Sequence, residues 1–269
     1  MNKYAVISKI VGQTPLQALE LFRSTIPELM DVSLTYAGRL DPMASGKLLI
    51  LIGNECKNRK QYDGLDKEYE FEILFGFKSD TGDVLGMSEE CSSDVLFSEY
   101  ELKKVTRSFL GNFKSPYPVF SSKTVEGKPL FHHAVENNLG DITIPMIKGR
   151  IYQIAFCGMR EVIAGKLIEN ILEKVSLLRV NDSDTRVGSG FRKNEIVERW
   201  RTFQVIEEKK FVIAKFRTVV TSGTYIRTLA SQIAVKLGTC GLAYSIHRTK
   251  IGRFRSFTKN LGFWQRTFN

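Results

Sequence analysis

The feature that most constrains the fold is a stiff loop that leads directly into a long apolar run. The loop carries one carboxylate, Asp41, followed by Pro42 and flanked by Gly38 and Gly46. Pro42 fixes its own φ and pushes Asp41 toward extended geometry, while the glycines permit tight bends. The apolar run over residues 48–52 predicts a buried strand that anchors the loop. A rigid loop of this kind often holds site residues, but an ordinary Asp-Pro turn explains this segment equally simply.

A second strand is predicted by strict alternation of side chains over residues 67–76. Tyr69, Phe71, Ile73 and Phe75 fall on one face, and glutamates alternate with them on the other. Apolar residues at every second position indicate a strand with one buried face and one solvated face. Without further information, Tyr69 is therefore expected to be a core residue.

The remaining segments alternate irregularly between helix and strand signals. Ser98–Glu101 is a capping box that opens a helix, which Gly111 is expected to end. Strands are predicted over 4–8, 210–220 and 245–257, helices from Thr14-Pro15 and over 129–137, 163–178, 194–200 and 226–237, and a polar loop over 181–190. We expect one α+β domain over residues 1–269, with a central, mostly antiparallel mixed sheet flanked by helices and loops.

Charge constrains the partner. The chain has 39 Lys and Arg residues against 29 Asp and Glu residues, which gives a formal net charge of +10 and a pI near 9.4. This balance favours a polyanion, with nucleic acid ahead of an acidic membrane surface. No run of about 18 apolar residues is present, so no membrane span is expected, and the first residues lack the apolar stretch of a signal peptide.

Cysteine and histidine spacing argues against a metal site and against a disulfide framework. The four cysteines lie far apart without a C-x-x-C pair: Cys56, Cys91, Cys157 and Cys240. Two of the three histidines, His132 and His133, are adjacent, which is poor ligand spacing, and we expect them at the surface. Phosphate-binding signatures, G-x-G-x-x-G after a strand or a P-loop, are absent. A reducing, cytoplasmic setting without a metal is expected.

Several segments, in order, resemble the TruB-type tRNA pseudouridine synthases. The first, GRLDPMASGKL from Gly38, is similar to the family's G-x-L-D-P-x-A-[ST]-G-x-L motif. The others are KEY at 67–69 with GFKSDTGD at 76–83, the stretch 116–134, SGTYIRTL at 222–229, and IHRTKIG at 246–252. Each motif alone is weak, whereas their combination and order are specific.

The resemblance implies roles for individual residues. Asp41 is the implied catalytic aspartate, Tyr69 the residue that stacks on the target uracil, and Arg227 the partner of the aspartate. A substrate-binding role is implied for six further residues: Tyr36, Lys9, Tyr225, Ile246, Arg248 and Lys250. The simpler interpretations are an exposed arginine at 227, a core isoleucine at 246 and a solvated basic face for the last strand.

The implied reaction isomerises uridine 55 in the T-arm loop of tRNA to pseudouridine. The C1′–N1 bond breaks, the uracil turns, and a bond forms through C5, so no redox step and no cofactor are required. An ionised carboxylate can attack as a nucleophile or stabilise positive charge at C1′, and the sequence leaves both options open. The target base must leave its stack, and a tyrosine ring can hold it.

This sequence departs from the family in four places. Tyr36 replaces a usual histidine, and Ile10 replaces a usual proline after Lys9. Many members extend into a C-terminal RNA-binding PUA-type domain, which is expected to be missing here because the chain stops at Asn269. Residues 158–207 are longer and more helical than usual, so a helical insertion is expected there.

Two other functions remain open at this point. One is an RNA-binding protein that helps tRNA fold without catalysis, and the other is a synthase that depends on a guide RNA. The intact trio of Asp41, Tyr69 and Arg227 argues against the first. The expected partner is the T-arm stem-loop of tRNA, bound by a cytoplasmic monomer that needs no protein partner and no membrane.

Overall fold

A single large sheet organises the residues described by the computed structural model, which are 2–91, 97–178, 192–206 and 208–269. The strands in these residues are β1 (Tyr4–Lys9), β2 (Leu34–Ala37), β3 (Ala44–Ile52), β4 (Asp66–Phe75), β5 (Phe77–Ser79), β6 (Ser88–Glu90), β7 (Gly111–Pro116), β8 (Thr124–Val125), β9 (Lys128–Pro129), β10 (Met146–Ile163), β11 (Lys210–Val220), β12 (Gly241–Thr258) and β13 (Leu261–Thr267). The strands predicted around residues 4–8, 48–52, 67–76, 210–220 and 245–257 are all confirmed, with modest shifts at their ends.

Seven α-helices surround the sheet in the same described residues. They are α1 (Pro15–Ser24), α2 (Arg59–Asp63), α3 (Glu99–Arg107), α4 (Leu130–Val135), α5 (Ala164–Ser176), α6 (Lys193–Arg201) and α7 (Ile226–Lys236). Short 3-10 helices cover Pro27–Leu29, Gly53–Asn58, Leu139–Asp141 and Thr202–Ile206. Every helix predicted from the sequence is therefore present.

Strand order explains why distant parts of the chain meet. The order is β1-β3-β12-β4-β11-β10-β7, with β2 also pairing with β3 and β13 also pairing with β12. Among the described strands, only the β3–β12 pair is parallel. The predicted α+β fold with a mostly antiparallel mixed sheet is confirmed. Because β12 lies between β3 and β4, the last long strand runs beside the loop before β3.

The predicted helix starts are confirmed in atomic detail. Thr14 accepts a hydrogen bond from Gln17 N, and the Gln17 side chain returns to Thr14 N. Ser98 and Glu101 form the same reciprocal capping box at α3. The predicted end of α3 at Gly111 is wrong, because the helix ends at Arg107 and Gly111 opens β7 with φ +107°.

Helices α3, α5, α6 and α7 contribute to the main apolar core. Trp200 is fully buried in α6, and its Nε1 donates to the Val84 carbonyl at 3.0 Å. Its ring lies 5.1 Å from that of Phe77, centroid to centroid. Loss of a ring buried to this degree costs about 3–5 kcal/mol of unfolding free energy. The core that these helices share with the sheet also includes Leu40, Met43 and Ala44 at the Asp41 loop.

The predicted helical insertion over 158–207 is helical only in part. Residues 158–163 continue β10, and helices α5 and α6 follow. The polar loop predicted over 181–190 lies outside the described residues. Whether 158–207 is an insertion relative to similar proteins stays a prediction.

Two expectations about cysteine and histidine are wrong. Cys91 and Cys240 form a disulfide with a Cα–Cα distance of 6.4 Å. Gly76 N donates to the Cys240 carbonyl at 3.0 Å and Cys91 N donates to the Gly76 carbonyl at 2.9 Å, which brings the two cysteines together. His133 is buried rather than at the surface, and its ring nitrogens contact Asn138 Oδ1 and the Val125 carbonyl, each at 3.1 Å. Sequence spacing does not reveal contacts that tertiary structure creates.

The described residues contain neither a membrane-spanning helix nor a metal-binding cluster. None of their helices combines the length and apolar character needed to cross a membrane. None of their histidine, cysteine, aspartate and glutamate side chains cluster in threes in a way that could hold a metal ion.

Candidate active site

The loop that carries Asp41 joins β2 to β3 and is held in a tight conformation. Ala44 N donates to the Asp41 carbonyl at 3.0 Å, and Gly38 and Gly46 have φ values of +72° and +105°. At Gly46 a Cβ would lie 2.3 Å from the Arg248 carbonyl oxygen, so only glycine lets β3 approach β12 this closely. The Asp41 carboxyl side chain remains 39% exposed at this loop.

Arg227 meets Asp41 from the other end of the chain. It lies in the first turn of α7, and its Nε donates to Asp41 Oδ2 at 2.7 Å. The guanidinium also donates to the carbonyl of Phe120 at 3.0 Å and to that of Thr81. Its side chain is only 4% exposed. These three acceptors fix the guanidinium, which in turn orients the carboxylate of Asp41.

A second carboxylate shares this arginine. Asp83 Oδ2 lies 3.6 Å from Arg227 Nε, and Asp83 Oδ1 accepts from Thr81 Oγ1 and Leu85 N at 2.9 Å each. Burial raises the pKa of Asp83 to about 6, against the opposing effect of Arg227. Asp83 was not predicted as a site residue, although the stretch GFKSDTGD that contains it is one of the segments similar to the family.

Two residues predicted to bind substrate are instead buried beneath the Asp41 loop. Arg248 is 0% exposed and donates to the carbonyls of Lys47, Arg39 and Gly38 at 2.7, 3.3 and 3.0 Å. Its hydrogen bonds hold the loop against β12. The RNA contact of Arg248 stays a prediction.

Lys9 is also fully buried, and its contact with substrate likewise stays a prediction. Its Nζ donates to the carbonyls of Ala44 at 2.5 Å, Ile10 at 2.9 Å and Pro42 at 3.4 Å. Burial lowers the pKa of Lys9 to about 7, although nearby Asp41 raises it. Lys9 thus holds the far side of the same loop.

Lys67 is a fourth buried cation, and it was not predicted as a site residue. Its Nζ donates to the carbonyls of Leu65 and Asp63 at 2.6 and 3.0 Å and to Ser222 Oγ at 3.1 Å. Burial, with a smaller effect from the charge of Arg248, lowers its pKa to about 7. The K-x-Y spacing in the sequence was the only available signal.

Tyr69 lies beside Arg248, which holds the Asp41 loop. The two residues are directly opposite each other on β4 and β12. Tyr69 is 7% exposed and Ile246, which is opposite Ala44 of β3, is 5% exposed. Both side chains are therefore mostly covered in this state, and a stacked base would require them to be uncovered.

The part of the chain that contains the Asp41 loop matches the model of a known protein family. A model described as TruB family pseudouridylate synthase (N terminal domain) matches residues 30–169. The chain belongs to the TruB family. The match includes Asp41, Tyr69 and Asp83, whereas Arg227 lies beyond it.

Individual relatives extend this TruB similarity over most of the chain. tRNA pseudouridine synthase B of Caldicellulosiruptor saccharolyticus is 26% identical over 254 residues, which cover 94% of this chain and 69% of that protein. The protein of the same name from Chloroherpeton thalassium is 27% identical over 257 residues, which cover 94% of this chain and 84% of that protein. tRNA pseudouridine synthase 4 of Saccharomyces cerevisiae is 38% identical over 108 residues, 39% of this chain and 26% of that protein.

A solved structure supports the same fold. A crystal structure of a Cbf5–Nop10–Gar1 complex matches with a TM-score of 0.54 and 16% identity. The match covers 93% of this TruB family chain and 48% of the other chain, so this chain spans about half of its length. At this identity the likeness concerns the fold alone.

The other predicted substrate residues of this TruB family chain lie around the site with different exposures. Tyr225 is half-buried before α7, and its pKa is raised chiefly by burial and further by Asp41. Tyr36 is half-buried in β2, with the Arg59 guanidinium 5.6 Å from its ring centroid. Lys250 is 42% exposed and lies 3.3 Å from Glu68. Of these, Lys250 is the most accessible to a ligand.

Proposed function

We propose that this TruB family chain isomerises uridine 55 in the T-arm loop of tRNA to pseudouridine, with Asp41 as the catalytic carboxylate. The main support is the 2.7 Å hydrogen bond between Arg227 Nε and Asp41 Oδ2, which joins residues 186 positions apart. A carboxylate that is oriented by a buried guanidinium and still partly exposed suits attack on a sugar or base, or stabilisation of charge at C1′. The names of the curated relatives support tRNA as substrate.

In this proposal the buried cations position Asp41 and do not touch RNA. Arg248, Lys9 and Lys67 hold the carbonyl groups of the loop and its surroundings. Tyr69 and Ile246 would contact the target base after it leaves its stack, and Tyr225 would lie beside Asp41. Neither a metal nor a cofactor is part of the proposed reaction, because the bond rearrangement is internal to the nucleotide.

We also propose that the protein acts as a monomer in the cytoplasm, on tRNA alone, without a guide RNA or protein partner. The support is chemical: an aspartate, an arginine and a tyrosine from one chain supply the groups that the reaction needs. The net charge of +10 supports direct attraction of RNA.

The test is to incubate the purified protein with unmodified tRNA and to map pseudouridine by chemical labelling and primer extension. We expect product at position 55, and Asp41→Asn should reduce the single-turnover rate by about 10³-fold or more. RNA affinity of this variant should stay within about threefold, because the isosteric amide leaves the surface unchanged. Leu21→Ala, at an exposed position on α1, is the matched control and should keep full activity.

Each alternative gives a different result in this assay. Full activity of Asp41→Asn would remove Asp41 from the mechanism. RNA binding without any product would support the tRNA-folding protein. Product that forms only after addition of a guide RNA would support the guide-dependent synthase.

A further inference from the structure

Residues 252–267 form a β-hairpin that the proposed reaction does not use. The end of β12 and the whole of β13 pair across a two-residue turn, in which Asn260 has φ +80°. No aspartate or glutamate occurs after Glu208 in the sequence. Four cations of this 252–267 hairpin are exposed: Arg253, Arg255, Lys259 and Arg266. The hairpin is therefore a strongly basic surface.

These cations lack the acidic partners that other cations of the sheet have. Arg217 and Lys215 on β11 both pair with Glu70, at 2.7 and 2.8 Å. Within the described residues, no carboxylate lies within 4.0 Å of any hairpin cation. Arg253 and Arg266 are directly opposite each other across the two strands. Because like charges in this position destabilise a strand pair, the arrangement favours an anionic ligand.

The tip of the hairpin adds exposed aromatic rings to these charges. Phe257 and Phe263 are 73% and 48% exposed, and their rings stack with centroids 5.2 Å apart and planes 25° apart. Arg255 is opposite Phe263 on the neighbouring strand. Rings beside cations are the combination that binds a nucleic-acid backbone and its unpaired bases.

The base of the hairpin is anchored, so its tip is presented in a defined position. Phe254 is buried between Trp264 and Tyr152, at centroid distances of 5.4 and 5.3 Å. Phe254 N donates to Asp66 Oδ2 at 2.9 Å, and Gln153 Nε2 on β10 donates to the Asn260 carbonyl at 2.9 Å. Little ordering is then needed on binding, which favours affinity.

The hairpin also lies at a useful distance from Asp41. Strand β12 runs from Ile246, beside the Asp41 loop, to Phe257 at the hairpin tip. Eleven residues of extended strand span about 35 Å. A tRNA bound with its target nucleotide at Asp41 would meet the hairpin with a part outside the target loop.

We propose that the 252–267 hairpin is a second RNA-binding surface, which contacts the backbone and unpaired bases of the substrate outside the target loop. The identity of that RNA as tRNA rests on the proposed function, whereas the affinity for RNA rests on the hairpin alone. A protein partner is less well matched, because four exposed cations that form no ion pair within the described residues suit a polyanion.

The test compares two hairpin variants with a surface control that removes equal charge. The charge variant is Arg253→Gln/Arg255→Gln/Lys259→Gln, and the ring variant is Phe257→Ala/Phe263→Ala. The control is Lys103→Gln/Lys104→Gln/Arg107→Gln, on the exposed face of α3. Binding of an unmodified tRNA transcript and of a short T-arm stem-loop is measured by filter retention over a range of salt concentrations. All substitutions are at exposed positions, and melting temperatures confirm that each variant is folded.

We expect the charge variant to bind the full tRNA at least 10-fold more weakly and to lower the slope of log K against log salt by about 2. The ring variant should bind it about fivefold more weakly. Both should bind the stem-loop within twofold of the unaltered protein, and the control should bind both RNAs within twofold.

Three results would overturn the inference. Unchanged binding of full tRNA by both hairpin variants would show that the hairpin does not contact RNA. An equal loss in the α3 control would show a general effect of net charge. An equal loss for the stem-loop would show that the hairpin contacts the T-arm itself and no more distant part of the substrate. Because binding is measured without turnover, a failure to make pseudouridine would refute the proposed function and leave this test intact.

Discussion

Strand β12 carries arginines at both the Asp41 site and the 252–267 hairpin, and these arginines differ in burial and in hydrogen-bond partners. Arg248 is fully buried and donates to three backbone carbonyls, whereas Arg255, seven residues later on β12, is exposed and donates to Gln265 Oε1 at 2.8 Å. The first residue stabilises a loop, and the second is available to a ligand. The net charge of the chain therefore does not locate an RNA-binding surface, because some of the cations are buried. In this structure only the exposed cations are accessible to RNA.

Burial also changes the chemistry of the cations at the Asp41 site. The pKa values of Lys9 and Lys67 are both lowered to about 7, chiefly by desolvation. Carbonyl oxygens satisfy their donors, which is what permits charged groups to stay inside the protein. At the hairpin, water surrounds the cations and leaves them free to exchange counterions for phosphates.

The largest effect on the reaction rate is expected when Arg227 is replaced by lysine, which keeps the positive charge but lacks the planar guanidinium. Arg227→Lys should lower the single-turnover rate about 10³-fold, because one ammonium cannot reach Asp41, Thr81 and Phe120 together. Arg266→Lys, on the hairpin, should stay within about twofold. Similar losses in both variants would remove the distinction between the two regions.

The second-largest effect should be a difference in stability between variants of Arg248 and of Arg255. Arg248→Met leaves three buried carbonyls without donors and should lower the free energy of unfolding by about 3–5 kcal/mol. Arg255→Met should change it by less than about 0.5 kcal/mol. Urea titrations followed by circular dichroism measure both values. Equal shifts in the two midpoints would mean that burial is not the deciding difference.

The pH dependence of stability should sharpen the comparison further. Because the pKa of Lys67 is lowered in the folded state, the unfolded chain binds more protons between pH 7 and about 10. The free energy of unfolding should therefore rise with pH through this window relative to Lys67→Met, by about 2–3 kcal/mol between pH 7 and 9.5. The control is Lys259→Met at the hairpin turn, which removes one positive charge from the surface. A pH-independent difference between wild type and Lys67→Met would contradict the lowered pKa.

Lys250 should show the smallest effect, because it lies between the two regions. Its ion pair with Glu68 is 42% exposed on the lysine side, so Lys250→Gln should lower stability by less than about 1 kcal/mol. Affinity for tRNA should fall about two- to threefold if its ammonium also meets a phosphate. Parallel melting and filter-binding measurements test both statements. A large loss of stability would place Lys250 with the buried cations.

Much of the site was predictable from local sequence. The Asp41 loop was predictable because Pro42, Gly38 and Gly46 restrict or free the backbone at fixed positions. The burial of Arg248 and Lys9 was not, because residue type alone favours exposure for both. The Cys91–Cys240 disulfide was not predictable for a different reason, which is that 149 positions separate its two cysteines in the sequence.

By itself the sequence determined the local elements: the capped starts of α1 and α3, the alternating strand β4 and the bend at Asp41. These depend on neighbours within a few positions, whose dihedral and hydrogen-bond preferences act over short range. Only the tertiary structure decided which charges meet. The parallel pairing of β3 with β12 places Arg248 under the Asp41 loop, and α7 brings Arg227 to the carboxylate. Burial and charge pairing depend on such long-range contacts, which residue order does not specify directly.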